Sequence, residues 1–267
     1  MTFEPSRGDP RPGSESGDGV IGGQATTHPP PLSKLSIIIP VHNEAGTIEC
    51  VVTRVMATRL PGRVDKEVLI VDDGSTDGTA AIIRRLQAVA SIKAFRLSSR
   101  QGKSAAVRLG LAHATGDIVV VQDADLEYDS AHLAHLLGPI LAGHASIVFG
   151  SRFQGRIRGM TPLIWLANRW STFTVNLLFG TRLSDVNTGY KMVKRKLLAH
   201  MTIMADDFGC DAEMTAKWLR KGYQILEIPI DYTGRTRQEG KKMNWVAAIR
   251  MYLCFIRYRF ARDDQPA

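Results

Sequence analysis

The sequence predicts an α/β protein with a mostly parallel sheet between two layers of helices. Apolar runs of strand length, such as SIIIPV and EVLIV, alternate with helical stretches. These runs are apolar at nearly every position, which is typical of strands buried on both faces. Strands separated by helices of roughly 10–15 residues are usually parallel, so we expect a Rossmann-like architecture.

The elements are expected in a regular order through the first half of the chain. A strand in LSIIIPV closes at Pro40, and the helix TIECVVTRVMA follows. The next strand ends at Asp72 and Asp73, and the helix after it has three N-cap candidates, namely Ser75, Thr76 and Asp77. A third strand in SIKAFRLS, a helix in KSAAVRLGLAHA and a fourth strand in DIVVVQDAD complete this part.

After residue 150 the alternation breaks down. SIVFGSRF indicates a strand, TPLIWLANRWSTFTVNLLFG a helix and YQILEIPIDYTGR a late strand. NWVAAIRMYLCFIRYRFAR predicts an amphipathic helix, whose basic face holds Arg250 and Arg257. Its apolar face is formed by Trp245, Ile249, Tyr252 and Ile256. This helix is expected either to dock on the core or to lie on a membrane.

Composition sets the expected domains. Residues 1–34 contain six Pro and six Gly with few large apolar side chains. Burial therefore cannot offset the entropy lost on ordering, and we expect a disordered tail. One domain large enough to form an enzyme is expected over residues 35–243. The basic helix and a short tail are expected over residues 244–267.

No secretory or membrane-spanning segment is recognised. The run WVAAIRMYLCFI is broken by Arg250 and is shorter than the roughly 20 residues that a spanning helix needs. The N-terminus lacks a signal-peptide pattern, so we expect a cytoplasmic protein. The three cysteines show no CxxC spacing, which favours reduced thiols over a disulfide or zinc site.

The positive charge belongs to the second half of the chain. Residues 35–150 hold 11 Lys/Arg and 12 Asp/Glu, whereas residues 151–200 hold nine Lys/Arg and one acid, Asp185. Such a surface suits nucleic acid, anionic lipid or a phosphorylated small molecule, and composition does not choose among them.

Acidic residues follow three predicted strands, in PVHNE, VDDGSTDG and QDADLE. In parallel sheets, ligands bind at the carboxyl ends of the strands. A single residue such as Asp77 or Asp129 is more simply a turn former, but three acidic ends together favour a site. Asp123 and Asp125, with Glu127, offer the hard oxygen ligands that Mg²⁺ or Mn²⁺ prefers alongside substrate phosphates.

Two nucleotide-binding motifs are excluded. QGKS at 101–104 ends like a phosphate loop, but Leu97 stands where that motif requires Gly. No GxGxxG follows the first strand, so a dinucleotide-binding Rossmann enzyme is not indicated. His42 is interpreted as a loop residue.

The blocks SIIIPVHNE, VDDGSTDGT, GKSAAVRLGLAHATGD, QDADLEY, GSRF and DVNTGYK occur here in the order of family 2 glycosyltransferases. Over roughly residues 35–245 the chain resembles this family, and most of all its polyprenyl-phosphate (dolichol-phosphate) mannose synthases. The resemblance implies a GT-A fold, a nucleotide-sugar donor, a divalent metal and inversion at the anomeric carbon.

The resemblance also implies site residues. The metal would lie among Asp123, Asp125 and Glu127, with Asp125 at the reacting centre. The donor-binding set would be Pro40, Asn43, Glu44, Asp72, Asp73, Gln101, Gly102, Lys103, Asp123 and Ala124. Ser104 departs from the family pattern, in which a second Gly commonly follows the lysine.

Basic residues of the second half are candidates for an acceptor phosphate, because guanidinium groups match phosphate oxygens. They are Arg152, Arg169, Arg235 and Lys241. A lipid monophosphate is already anionic and needs no general base, whereas a hydroxyl acceptor would need one, with Asp211 or Glu213 as first candidates. Asp185, Asp211 and Glu213 are equally suited to structural hydrogen bonds.

The expected reaction moves mannose from GDP-mannose to a polyprenyl phosphate. A UDP-sugar donor such as UDP-glucose, or a soluble hydroxyl acceptor, is the alternative, and a nucleotide-sugar binding module without turnover is less favoured. No nucleic-acid reading motif is present. We expect a peripheral protein at the cytoplasmic face of a membrane, with WLANRWSTFTVNLLF and the last helix against the headgroups, or else a membrane-anchored partner.

Overall fold

A computed structural model describes residues 33–199, 201–205, 209–235 and 245–260. Residues 1–32 of the predicted tail lie outside this part, and the first strand already begins at Lys34. The predicted domain boundaries therefore stay a prediction.

The first half of the chain follows the predicted order. Its elements are β1 (Lys34–Val41), α1 (Ile48–Ala57), β2 (Asp65–Asp72), α2 (Thr79–Val89), β3 (Ile92–Arg96), α3 (Lys103–His113) and β4 (Ile118–Val121). The N-cap of α2 is Gly78, so none of the three predicted N-cap candidates holds that position. Asp77 Oδ1 nevertheless accepts the N–H of Thr79 at 2.9 Å.

The second half contains elements that the sequence pattern did not reveal. The elements are α4 (His132–Leu141), β5 (Ile147–Ser151), β6 (Ile157–Arg158), α5 (Pro162–Phe179), β7 (Lys191–Lys194), α6 (Gly209–Arg220), β8 (Leu226–Pro229), β9 (Tyr232–Thr233) and α7 (Trp245–Phe260). The helix α4 contains Pro139, and β7 is a short strand that begins and ends with lysine, so neither gives a clear local signal. The predicted late strand is two strands, because β8 pairs with β5 and β9 pairs with β6.

The described strands form a seven-stranded sheet of order β3-β2-β1-β4-β7-β5-β8 and a two-stranded sheet β6-β9. Only β7 runs antiparallel to its neighbours in the large sheet, β4 and β5. The predicted mostly parallel sheet is therefore confirmed. Because β1, β2 and β4 are parallel neighbours, their carboxyl ends meet at one edge.

Helices cover both faces of this sheet. On one face Ile37 and Ile39 pack in a core that includes Val55 and Leu136, while on the other Ile38 packs with Ala106 of α3. The close approach of α3 requires Gly110, since a Cβ there would overlap the Ile38 side chain. Successive β1 side chains are buried on opposite faces of the sheet, so the strand does not alternate between apolar and polar residues.

The C-terminal helix α7 is docked on the protein. Phe255 and Tyr258 are buried against a cluster that includes Val175 of α5 and Ala212 of α6. Of the predicted apolar face, Tyr252 and Ile256 are only partly buried, while the side chains of Trp245 and Ile249 lie outside the described part of the structure. Among the described residues, no helix has the length and apolar character needed to cross a bilayer.

Candidate active site

Carboxylates from two neighbouring strands meet at the carboxyl edge of the sheet. Glu44 follows β1, and the Asp123–Glu127 segment follows β4, which pairs directly with β1. Leu126 lies between Asp125 and Glu127 with φ 62°, a left-handed conformation that is costly for a branched residue. This bend sets the direction of the two acids on either side of it.

The guanidinium of Arg235 lies among these carboxylates. Its Nη1 is 3.0 Å from Glu44 Oε1, and its Nη2 is 3.0 Å from Asp125 Oδ2. Its Nε is 3.7 Å from Glu127 Oε1. One cation from just beyond β9 thus joins acids that follow β1 and β4.

The surroundings of Asp125 disfavour its ionised form. Burial, followed by the charges of Asp123 and Glu127, raises its pKa to about 7, although Arg235 opposes the shift. Like charges held close together disfavour ionisation in this way. Such a cluster gains from any further cation that reaches it.

Lys103 forms an ion pair with Asp123 of the acidic cluster. Its Nζ lies 2.7 Å from Asp123 Oδ1 and 3.6 Å from Asp211 Oδ2. Burial alone would lower the pKa of Lys103, but the two aspartates raise it well above its usual range. The ammonium is therefore a fixed positive charge that orients Asp123.

Asp72 and Asp73, which were predicted to hold the donor, also shape the loops around it. Both carboxylate oxygens of Asp73 accept backbone N–H groups, from Gln101 at 2.6 Å and from Gly102 at 2.9 Å. Asp72 Oδ1 accepts the N–H of Ser75 at 2.8 Å. Gly102 has φ 91°, which favours glycine at the start of α3.

The other predicted donor residues lie at the same edge. Pro40 is in β1 beside Val71 of β2, and Ala124 is buried between the two aspartates of the β4 loop. Asn43, with φ 55°, accepts the Thr76 N–H through its side-chain oxygen at 2.8 Å. Their contacts to a donor stay a prediction.

Glu127 holds the segment that carries Arg235. Its Oε2 accepts the hydroxyl of Tyr232 at 2.7 Å, and its Oε1 accepts the N–H of Arg235 at 3.1 Å. Tyr232 falls within the predicted late strand YQILEIPIDYTGR but is not among the predicted site residues. The signal available was a Tyr three residues before the arginine, which is meaningful only once the strand pairing is known.

The predicted acceptor residues that the structure describes have different surroundings. Arg152 is buried and forms a two-pronged ion pair with Asp185, with Nε–Oδ2 at 2.7 Å and Nη2–Oδ1 at 2.8 Å. Arg169 is exposed on α5 and lies over the ring of Phe153 at 5.4 Å. Lys241 lies outside the described residues. Of the three that the structure describes, Arg235 is the one with ion pairs to the acidic cluster.

The two candidate general bases differ in their surroundings. Glu213 has no exposed surface, and its Oε2 accepts the N–H groups of Met204 and Ala205 while its Oε1 lies 2.8 Å from Lys217 Nζ. Asp211 retains a 15% exposed side chain beside Lys103. The structural interpretation of Glu213 is therefore favoured, and Asp211 is the better placed of the two for chemistry.

A second unpredicted residue lies behind Asp211. Lys191 of β7 is buried, and its Nζ donates to the Asp211 carbonyl oxygen at 3.2 Å. Burial lowers the pKa of this lysine, with Asp211 acting in the opposite direction. The short strand KMVK gave no local signal for this lysine, because its burial depends on the tertiary structure.

The carboxylates at this edge of the sheet suit a divalent cation that is also bound by a ligand. Within the described ranges, no three His, Cys, Asp or Glu side chains are arranged to hold a metal ion by themselves. Mg²⁺ and Mn²⁺ commonly bind through one or two carboxylates together with substrate phosphates, and Asp123 and Asp125 supply such a pair. A Cβ at Gly189 would lie 2.7 Å from Asp123 Oδ2, so glycine leaves space beside this oxygen.

Comparisons with known proteins identify the family of this chain. The family model described as glycosyl transferase family 2 matches residues 36–202. Glycosyltransferase AglJ of Haloferax volcanii is 29% identical over 240 residues, covering 89% of this chain and 75% of that protein. Polyprenol monophosphomannose synthase of Mycolicibacterium smegmatis is 29% identical over 226 residues, covering 77% of this chain and 79% of that protein.

Solved structures show the same fold. Glucosyl-3-phosphoglycerate synthase of Mycobacterium tuberculosis in complex with UDP has a TM-score of 0.68 at 22% identity, covering 87% of this chain and 82% of that one. The same protein has been solved with Mn²⁺ or Mg²⁺ and UDP. The predicted GT-A fold is confirmed by this likeness, and the family match spans more than half of the chain. The chain belongs to glycosyl transferase family 2 and is a glycosyltransferase.

Proposed function

We propose that this enzyme transfers a hexose, mannose from GDP-mannose in the first instance, to a polyprenyl phosphate with inversion at the anomeric carbon. The observation that carries the proposal is the meeting of Asp123, Asp125 and Glu127 with Arg235 and Lys103 at the sheet edge. Carboxylates that can hold a metal ion lie there next to basic side chains that can bind phosphate, as two phosphate-bearing substrates require. The relative named polyprenol monophosphomannose synthase supports this choice of substrates.

Asp123 and Asp125 would hold Mg²⁺ or Mn²⁺, with Glu127 beside them. When bound, a divalent ion supplies charge neutralisation for the departing nucleoside diphosphate. Asp73 fixes the Gln101–Gly102 backbone through two hydrogen bonds. This loop would lie beside the nucleotide. Rigid placement of this kind favours in-line attack.

The acceptor phosphate would attack without a general base, because its oxygen is already anionic near neutral pH. Arg235 then offsets the repulsion between this phosphate and the donor diphosphate. The burial of Glu213 supports a mechanism that does not need it as a base.

A second candidate is transfer from UDP-glucose to a phosphorylated hydroxyl acceptor. It is favoured by the M. tuberculosis enzyme of the same fold, solved with UDP-glucose and phosphoglyceric acid. In that case Asp211 would be the general base, since its side chain is 15% exposed.

Release of nucleoside diphosphate separates these candidates. We expect GDP release from GDP-mannose that requires both Mn²⁺ or Mg²⁺ and a short polyprenyl phosphate. UDP release from UDP-glucose with phosphoglyceric acid, but not with lipid, would support the second candidate. Donor binding with no release in any combination would contradict both.

The lipid acceptor implies contact with a bilayer, and α5 offers the surface. Its exposed apolar side chains recur at helical spacing and form one stripe of Leu163, Leu166, Trp170, Phe173 and Leu177. Trp170 is 61% exposed and Leu177 is 74% exposed. Burying each such side chain is worth roughly 1.5–3 kcal/mol, so the stripe can hold the protein at a membrane.

The double variant Trp170→Ser/Leu177→Ser should weaken binding to phosphatidylglycerol-containing vesicles by roughly tenfold or more, by sedimentation, because two apolar side chains no longer insert. Leu141→Ser on α4, which changes a 37% exposed leucine elsewhere, is the matched control. Equal binding of the double variant and the wild type would remove α5 from the interface, and no vesicle binding by either would favour a membrane-anchored partner.

A further inference from the structure

We infer that Arg235 is a resident counter-cation of the acidic cluster, which a divalent ion must displace before Asp125 can ligate it. The inference rests on the proposed function for the presence of the ion and extends it by assigning a competitor from the chain itself. Its starting point is that the Arg235 guanidinium already lies on carboxylates after β1 and β4.

The oxygens involved are the ones a metal would use. Asp125 Oδ2 is 3.0 Å from Arg235 Nη2, while Asp125 Oδ1 accepts the N–H of Glu127 at 3.1 Å. Both oxygens of Asp125 are thus engaged within the protein. A metal ion at Asp125 Oδ2 would lie beside the Arg235 guanidinium, and the two cations would repel each other. The side-chain ion pair is the bond that can open to relieve this repulsion without disturbing the backbone.

The backbone of Arg235 is held separately from its guanidinium. Glu127 accepts the Arg235 N–H at 3.1 Å, and the Glu127 carbonyl oxygen accepts the N–H of Thr233 at 3.1 Å. The Tyr232 hydroxyl adds a third bond to the same residue. The long side chain can therefore leave the carboxylates while its own peptide unit stays in place.

Charge balance favours the exchange only when phosphates arrive. Arg235 partly neutralises Glu44, Asp125 and Glu127, so expelling it by a metal alone exposes a guanidinium without a partner. A diphosphate that accompanies the metal provides the new partner for the guanidinium. Metal and nucleotide should accordingly bind cooperatively, each increasing the affinity of the enzyme for the other.

The experiment measures Mn²⁺ binding in the absence of donor and acceptor, by electron paramagnetic resonance of the free ion at pH 8. Arg235→Gln should bind Mn²⁺ roughly tenfold more tightly than the wild type, because it removes the competing charge. Arg235→Lys, which keeps the charge, should stay close to the wild type. Arg85→Gln changes net charge equally on an exposed pair of α2 and should have no effect.

Thermal melting supplies a second readout: Mn²⁺ should raise the melting temperature of Arg235→Gln more than that of the wild type. Equal or weaker Mn²⁺ binding by folded Arg235→Gln would overturn the inference, as would failure of both proteins to bind millimolar Mn²⁺. If Arg235→Gln binds Mn²⁺ more tightly but the wild type transfers sugar in none of the assays, the inference is upheld and the proposed function is rejected.

Discussion

Replacing Asp125 with Ala should lower kcat/KM for sugar transfer roughly 10³-fold, equivalent to about 4 kcal/mol of transition-state stabilisation. The reason is that Asp125 lies at the centre of the acidic cluster and is paired with Arg235 at 3.0 Å. Its loss removes one proposed metal ligand and the partner of a phosphate-directed arginine together. Release of nucleoside diphosphate with lipid acceptor measures the effect.

Asp129→Ala is the matched control, because Asp129 is an exposed residue four positions away whose carboxylate accepts the Ala131 N–H at 2.9 Å. It should retain activity within a fewfold. An Asp125→Ala enzyme with near wild-type turnover would contradict the assignment of the cluster as the reacting centre.

The raised pKa of Asp125 gives the wild type a matching pH dependence. With a pKa of about 7, due first to burial and then to Asp123 and Glu127, this carboxyl carries a proton in the absence of metal below that pH. Ligands must be deprotonated, so apparent Mn²⁺ affinity should rise as pH increases from 6 to 8. Asp125→Ala should lose most of this rise, and an unchanged profile would contradict the link.

Arg152→Met should lower the free energy of unfolding by about 3–5 kcal/mol, the cost of leaving one partner of a buried ion pair alone. Asp185 has no exposed side-chain surface and receives two guanidinium hydrogen bonds. At roughly 2–4 °C per kcal/mol, the melting temperature should fall by about 10 °C. Thermal unfolding followed by circular dichroism measures this.

Two comparisons separate structure from catalysis at Arg152. Arg182→Met, on an exposed arginine, should change stability by less than about 0.5 kcal/mol. Adding Asp185→Asn to Arg152→Met should recover part of the loss, because the unpaired buried charge is then removed. An Arg152→Met protein that melts with the wild type yet transfers no sugar would instead make Arg152 a substrate-phosphate ligand.

Much of the first half of the fold was predictable because its signals are local. Continuous apolar runs defined β1, β2 and β4, and the helical stretches between the strands placed α1 to α3 within a few residues. The second half gave weaker signals: β7 is only four residues, KMVK, and enters the sheet antiparallel between β4 and β5. Nothing in so short a polar-ended strand states which neighbours it joins.

The sequence by itself determined the α/β class, the acidic strand ends and the family to which these motifs belong, since each depends on residue type and on spacing along the chain. Tertiary structure alone decided the partners: Arg235 meets Glu44 across 191 positions, whereas Arg152 is buried on Asp185. The physical reason is that an arginine has the same charge and reach wherever it stands in the sequence. Only the order of the strands brings Arg235 onto the acidic cluster and leaves Arg152, which directly follows β5, buried on Asp185.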